Sequence, residues 1–238
     1  MCQFFKSAIK RALRKPLLKR RIRGHLASQG GRAELKVVFG RHWAEVPGWL
    51  LLSQDEQDIT RPLEFDTGSV DAIFTEHVLE HVDFSGGVSF MREALRALKP
   101  GGVFRVVCPV TEKVLSFSPS GERDREYLLG LERYYPAEKK VLQELKVDGF
   151  GEFSQVFLLN SIYSGHGHKF IWSAALISKV LSALGYGSVR QYEIGLGAKP
   201  EYCLERRRRG IYLGADPAED RRADYIYDAE SLAVEGIK

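Results

Sequence analysis

Six residues in two short stretches carry most of the chemistry this chain could do. Glu76, His77, Glu80 and His81 form one stretch, and His166 and His168 the other. Imidazole titrates near neutral pH, so a positioned histidine can take the proton of an acceptor hydroxyl. His77 and His168 are the candidate catalytic bases, with His81 expected to orient or pack one turn on. The same letters, 77–81, spell H-x-x-E-H, in which two histidines four apart on a helix face ligate zinc. No metal site is expected, because that motif needs a long helical setting and a third ligand. Residues 205–209 (ERRRR) are a third cluster. Guanidinium groups can grip phosphate or carboxylate by paired bonds, but such a run is by default a solvated face. The histidines have ordinary readings as well. His77 and His81 could be strand-end side chains bonded to backbone, and Gly165 and Gly167 could make 165–168 a simple turn.

The elements that must hold these side chains are legible on either side of them. Residues 69–74 (SVDAIF) form a strand, introduced by the turn residues Asp66, Thr67 and Gly68. Val88, Met91, Ala94, Leu95 and Leu98 make an apolar helical stripe over residues 86–98. Lys99, Pro100, Gly101 and Gly102 then stop the helix with a cation, an imino acid and two free glycines. Residues 103–108 (VFRVVC) return as a strand. Upstream, residues 35–40 (LKVVFG) are a strand that stops at glycine, and Trp49 opens a second buried run, 49–52. Downstream, residues 173–184 are a helix ended by Gly185, 188–194 a strand and 231–235 a last strand. Strand, helix and strand in alternation predict a parallel sheet with right-handed crossovers. In such a sheet, ligands bind beyond the carboxyl ends of the strands. That rim comprises residues 39–42, 52–53, 58–59 and 75–77.

Residues 70–109, with HVLEH followed by LKPGG after a DAIF strand, resemble the central block of class I S-adenosylmethionine (SAM)-dependent methyltransferases. The resemblance is strong over residues 35–110 and weaker over 165–238. It implies an α/β, Rossmann-like, doubly wound and mostly parallel sheet with an antiparallel edge strand. It also implies an inserted cap over about 111–165 that shapes an acceptor pocket. SAM is the implied cofactor. Phe39, Gly40 and Arg41 stand at the family's glycine-rich loop, Ser53 at the position of its ribose-binding acid, and Asp58 with Ile59 at the adenine side. Glu76 completes the rim. Arg41, His42 and Ser53 depart from the family pattern, since small residues and an acid are usual there; Asp55 or Glu56 could supply the acid from a shifted register. The implied activity is methyl transfer to a small-molecule or glycan-type acceptor, at oxygen. The alternative is a methyltransferase-like protein that does not methylate, a scaffold or an enzyme of other chemistry.

Composition sets the remaining bounds. At 238 residues with 44% hydrophobic and 28% charged, the chain can bury one large α/β domain. No run approaches the length of a membrane-spanning helix. Cys2, Cys108 and Cys203 are scattered and lack metal spacing, which fits a reducing, cytoplasmic setting with structural or free thiols. Residues 1–32 hold ten of the 35 Lys and Arg and no acid, so residues 33–238 carry 25 basic against 31 acidic groups. An acidic body is not expected to bind nucleic acid. The basic leader reads as a separate segment, with Phe4, Phe5, Ile9, Leu13 and Leu17 on one helical face and Pro16 ending or bending that helix. Residues 4–23 suit an anionic membrane surface, such as the inner face of the cytoplasmic membrane. A disordered tail or a targeting presequence fits the same composition.

Overall fold

Alternation at period two divides one sheet into two apolar faces. Val37, Phe39, Ile73, Phe104 and Val106 point to one side, and Val38, Ala72, Phe74, Val103 and Val107 to the other. The computed structural model describes residues 16–29, 34–40, 46–117, 135–147, 154–205 and 229–238. Residues 16–28 form helix α1. The remaining elements are β1 (Lys36–Phe39), β2 (Leu50–Leu52), β3 (Val70–Glu76), α2 (Phe84–Ala97), β4 (Leu98–Pro109) and α3 (Thr111–Ser116). They continue with α4 (Pro136–Leu145), α5 (Ser154–Ser164), α6 (Ala174–Leu184), β5 (Ser188–Tyr192) and β6 (Ser231–Ile237). The strands lie in the order β2-β1-β3-β4-β6-β5. The first four are mutually parallel, and β6 runs antiparallel to both β4 and β5. This is the mostly parallel, Rossmann-like sheet predicted above. The antiparallel strand sits one place in from the edge, with β5 outside it.

The first face is covered by α2 and α6, through Phe90, Met91, Ala94, Ile177 and Leu181. Both helices are capped at the N-terminus by a side chain. Asp83 accepts from Gly86 N at 2.7 Å and Ser173 accepts from Leu176 N at 3.0 Å. Gly185 closes α6 in the left-handed conformation at φ 102°. The Lys-Pro-Gly-Gly segment ends α2 as predicted but is no free turn, because it already pairs within β4. Gly101 N donates to Lys238 O, and Lys238 N to Gly102 O, at 2.8 and 3.0 Å. Lys99 reaches Asp71 at 2.7 Å, and Asp71 also accepts from Leu35 N at 2.7 Å.

The leader departs from the expectation in its second half. Residues after Pro16 are helical, and Leu18 is buried in the main core with Ile22 and Leu26 packed beside it. The apolar and basic residues at 4–14 lie outside the described residues. Among the described residues, no helix is long and apolar enough to cross a membrane.

The second face buries a charged cluster. Arg105, in the middle of β4, is 1% exposed and paired with Glu205 and with Glu235 of β6. Gly195 N and Ala198 N donate to these two carboxylates at 2.9 and 3.0 Å, and Arg105 donates to Leu196 O at 3.0 Å. Glu205 is therefore an anchor tying the 193–205 segment onto the sheet, and not part of a solvated run; residues 206–209 lie outside the described residues.

Candidate functional site

The chain runs from β1 outward to β2 and then back past β1 to β3. The order of the sheet reverses between β1 and β3, the point beyond whose strand ends open α/β sheets bind ligands. Phe39 pairs with Thr75 in register at this rim. Gly40 follows Phe39 with φ 106°, and its N–H donates to Leu52 O at 3.2 Å. A Cβ at Gly40 would meet Val78 Cγ2 at 2.4 Å, so glycine is required by both backbone conformation and space. Phe39 presents its backbone to the rim while its ring is buried edge-on against Phe65 and Phe90. Thr75 Oγ1 is a buried hydroxyl with no hydrogen-bond partner among the described residues.

On the β2 side, Ser53 does not stand alone. Its N–H and Oγ both hold Glu56 Oε2, at 3.0 and 3.1 Å. Arg21 of α1 also engages the Glu56 carboxylate. Burial pushes the Glu56 carboxyl up, but the Ser53 backbone bond and Arg21 outweigh it and hold it below the ordinary range. Asp58 folds back on itself: Oδ1 accepts from Thr60 N and Thr60 Oγ1 at 3.0 and 2.7 Å, and Oδ2 lies 3.2 Å from Arg61 Nε. Ile59 is buried beside it. Arg41 and His42 lie outside the described residues.

On the β3 side, Glu76 ends the strand and His77 follows in the left-handed region at φ 48°. A bulky residue held there is strained, a condition that concentrates at functional sites. His77 and His81 therefore do not share a helix face as the H-x-x-E-H spacing predicts, because the helical turn starts only at Leu79 and is a short 3-10 turn, Leu79–His81. Instead His77 Nδ1 lies 3.1 Å from Glu80 Oε1, and the Glu80 side chain is wholly buried. Burial alone would raise the Glu80 carboxyl. The His77 bond and charge overcome it and keep Glu80 below the ordinary carboxylate range.

The two histidine clusters, separate in sequence, meet in space. Lys169 N and Phe170 N both donate to Glu80 O, at 2.8 and 3.2 Å, and Val110 bridges to Trp172. These backbone bonds dock the 165–172 segment on the rim. The rings of His168 and His81 come to 4.9 Å, edge to face, with His166 5.8 Å from His168. His168 Nδ1 bonds Ile162 O at 2.5 Å, and burial lowers its pKa against the opposing pull of that carbonyl and of Glu80. Glu80, His81 and His168 present ligand-type atoms all within 4.8 Å of one another. Their convergence had no sequence signal, since nothing local links residue 80 to residue 168.

A methyltransferase-domain family model matches residues 40–106, from Gly40 to the middle of β4 and under a third of the chain. No curated protein matches significantly. Among solved structures, a SAM-dependent methyltransferase from Archaeoglobus fulgidus is similar at 12% identity and TM-score 0.42, covering 94% of each chain. The Haemonchus contortus phosphoethanolamine N-methyltransferase 2, in complex with phosphomonomethylethanolamine and S-adenosylhomocysteine, is similar at 12% identity and TM-score 0.41. That likeness covers 91% of this chain and 52% of that one. The citrinin polyketide synthase CMeT domain is similar at 12% identity and TM-score 0.37, over 80% of this chain, which spans only 32% of that one. The strand order is that of a mostly parallel, Rossmann-like sheet, and the methyltransferase-domain match runs within it from the residue after β1 into β4.

Proposed function

We propose that this chain is a SAM-dependent methyltransferase acting on a small-molecule or glycan-type acceptor, at oxygen. The observation that supports this most is that Gly40 packs against Glu76 and Val78, the residues flanking His77, at the switch point of the sheet. The residues present fit the cofactor on two sides. Glu56, oriented by Ser53, would accept from the ribose hydroxyls, and Asp58 with Ile59 would border the adenine. SAM, when bound, supplies an electrophilic methyl group. The chain's part is to hold the acceptor oxygen in line and remove its proton, with most of the rate coming from positioning. His77 is the leading base: its Nδ1 lies 3.1 Å from the buried Glu80 carboxylate, which would favour the imidazolium formed when Nε2 takes a proton. His168, whose Nδ1 faces Ile162 O, is the second candidate. The 111–165 region shapes the acceptor side, and residues 4–23 tether the protein to an anionic inner membrane face.

A second reading draws on two contacts. Val78 already fills the space beside Gly40, and Arg21 already engages Glu56. A methyltransferase-like protein that binds no SAM would look the same at these points. Calorimetric titration of the full chain with SAM and S-adenosylhomocysteine separates the two. Micromolar binding is expected, and silence at millimolar concentration would leave the second reading standing.

A further inference from the structure

We propose that Glu80, His81 and His168 form a site for a divalent transition-metal ion of the zinc class. One carboxylate and two imidazoles are a donor set suited to such ions, and three protein ligands leave a coordination position open. Three observations point to it independently of cofactor binding. The three ligand-type atoms already lie within 4.8 Å of one another. The Glu80 carboxylate is fully buried, and beyond the His77 approach neither oxygen receives a well-formed hydrogen bond among the described residues. A buried anion so poorly satisfied calls for a cation. Finally, His168 directs Nδ1 at the Ile162 carbonyl at 2.5 Å. A backbone carbonyl on one ring nitrogen is the usual outer partner of a metal-ligating histidine, because it fixes the tautomer that leaves Nε2 for the metal.

The ligand set is not the one the H-x-x-E-H spacing suggests. His77 turns away from it in the left-handed conformation and meets Glu80 as an outer partner, while His168 replaces it from the docked 165–172 segment. An ion here would neutralise Glu80, clamp that segment to the 3-10 turn and offer its open position as a Lewis acid one residue pair from His77.

The test uses the full chain stripped with a chelator and dialysed, then titrated with Zn²⁺ by calorimetry and with Co²⁺ by visible absorption. One equivalent of Zn²⁺ should bind at micromolar affinity or tighter, and Co²⁺ should give visible bands of a low-coordinate site. His168→Ala should weaken binding by more than about 100-fold, since even an outer partner of a metal-bound histidine is worth ~10–100-fold. Glu80→Gln, which keeps the side-chain shape, should do the same, and His166→Ala should leave affinity unchanged. Circular dichroism checks that each variant is folded. Stoichiometric Zn²⁺ binding that survives in folded His168→Ala, or no binding by the wild-type chain at millimolar Zn²⁺, overturns the proposal. Titration with SAM on the same samples reports separately on the cofactor.

Discussion

Arg21 of α1 donates to the carbonyl of Leu51 at 3.1 Å and pairs with Glu56, so the basic helix is keyed to the open edge of the sheet at β2. Edge strands expose unpaired carbonyls, and covering one with a side chain or helix is a standard protection. The same contact engages Glu56, the acid proposed for the ribose. Arg21→Ala should therefore cost little stability, under ~1 kcal/mol for an exposed pair. It should tighten SAM or S-adenosylhomocysteine binding by roughly 2–5-fold, the equivalent of up to ~1 kcal/mol released from Glu56. A calorimetric titration in which Arg21→Ala weakens binding would show that Glu56 is not the ribose acid.

Gly40 is held by two constraints that can be separated. Its φ of 106° disfavours any side chain, and a Cβ would lie 2.4 Å from Val78 Cγ2. Gly40→Ala should destabilise the protein by about 1–3 kcal/mol, the range for a non-glycine residue in such a conformation. Adding Val78→Ala should recover only the part due to crowding. Urea denaturation of both variants measures the split, and full recovery would mean that the backbone there is unstrained.

Arg105 stands between two acids, so its cluster has a net negative charge. Replacing Arg105 with Met leaves Glu205 and Glu235 buried together and should cost about 3–5 kcal/mol or more. Glu205→Gln leaves a neutral Arg105–Glu235 pair and should cost less, on the order of 1–2 kcal/mol for weakened bonds. The order of the two midpoints in denaturant is the check, and the reverse order would mean that Glu205 alone carries the cluster.

His77→Ala should lower turnover by about 10²–10⁴-fold, the range for a lost general base, with SAM affinity nearly intact. Single-turnover rates and calorimetry on one preparation distinguish this from a structural defect. Unchanged turnover would transfer the role of base to His168.

Glu93 binds Arg96 through both oxygens, at 3.0 and 2.8 Å, and accepts from Leu63 N at 2.9 Å; Arg96 in turn holds the carbonyls of Leu63 and Phe65. The Arg96 bond is the main cause that sets the Glu93 carboxyl below its ordinary range. A depressed folded-state pKa contributes stability at pH values above the unfolded carboxylate range. That stability is lost as pH falls through the lower folded value. Glu93→Gln should flatten this acidic limb of the stability profile and leave the neutral-to-basic limb parallel to wild type. Melting temperatures across pH measure it, and an identical acidic limb in the variant would exclude the pair as its source.

What the sequence alone determined is what short-range chemistry determines. Short β-rich runs marked β1, β3 and β4, a three-to-four-residue apolar stripe marked α2, and Lys99–Gly102 and Gly185 marked helix ends. Glycine at position 40 was legible because a strand that stops at glycine implies a tight turn. The tertiary structure decided the rest. It buried Glu205 against Arg105 and docked α1 on β2 through Arg21. It also carried His168 to His81 and Glu80 through two backbone bonds from residues 169 and 170. None of these pairings has a local signature, because a charge in the sequence looks the same whether solvated or paired. Only the crossovers of the sheet, which bring distant strand ends to one rim, decide which of the two it becomes.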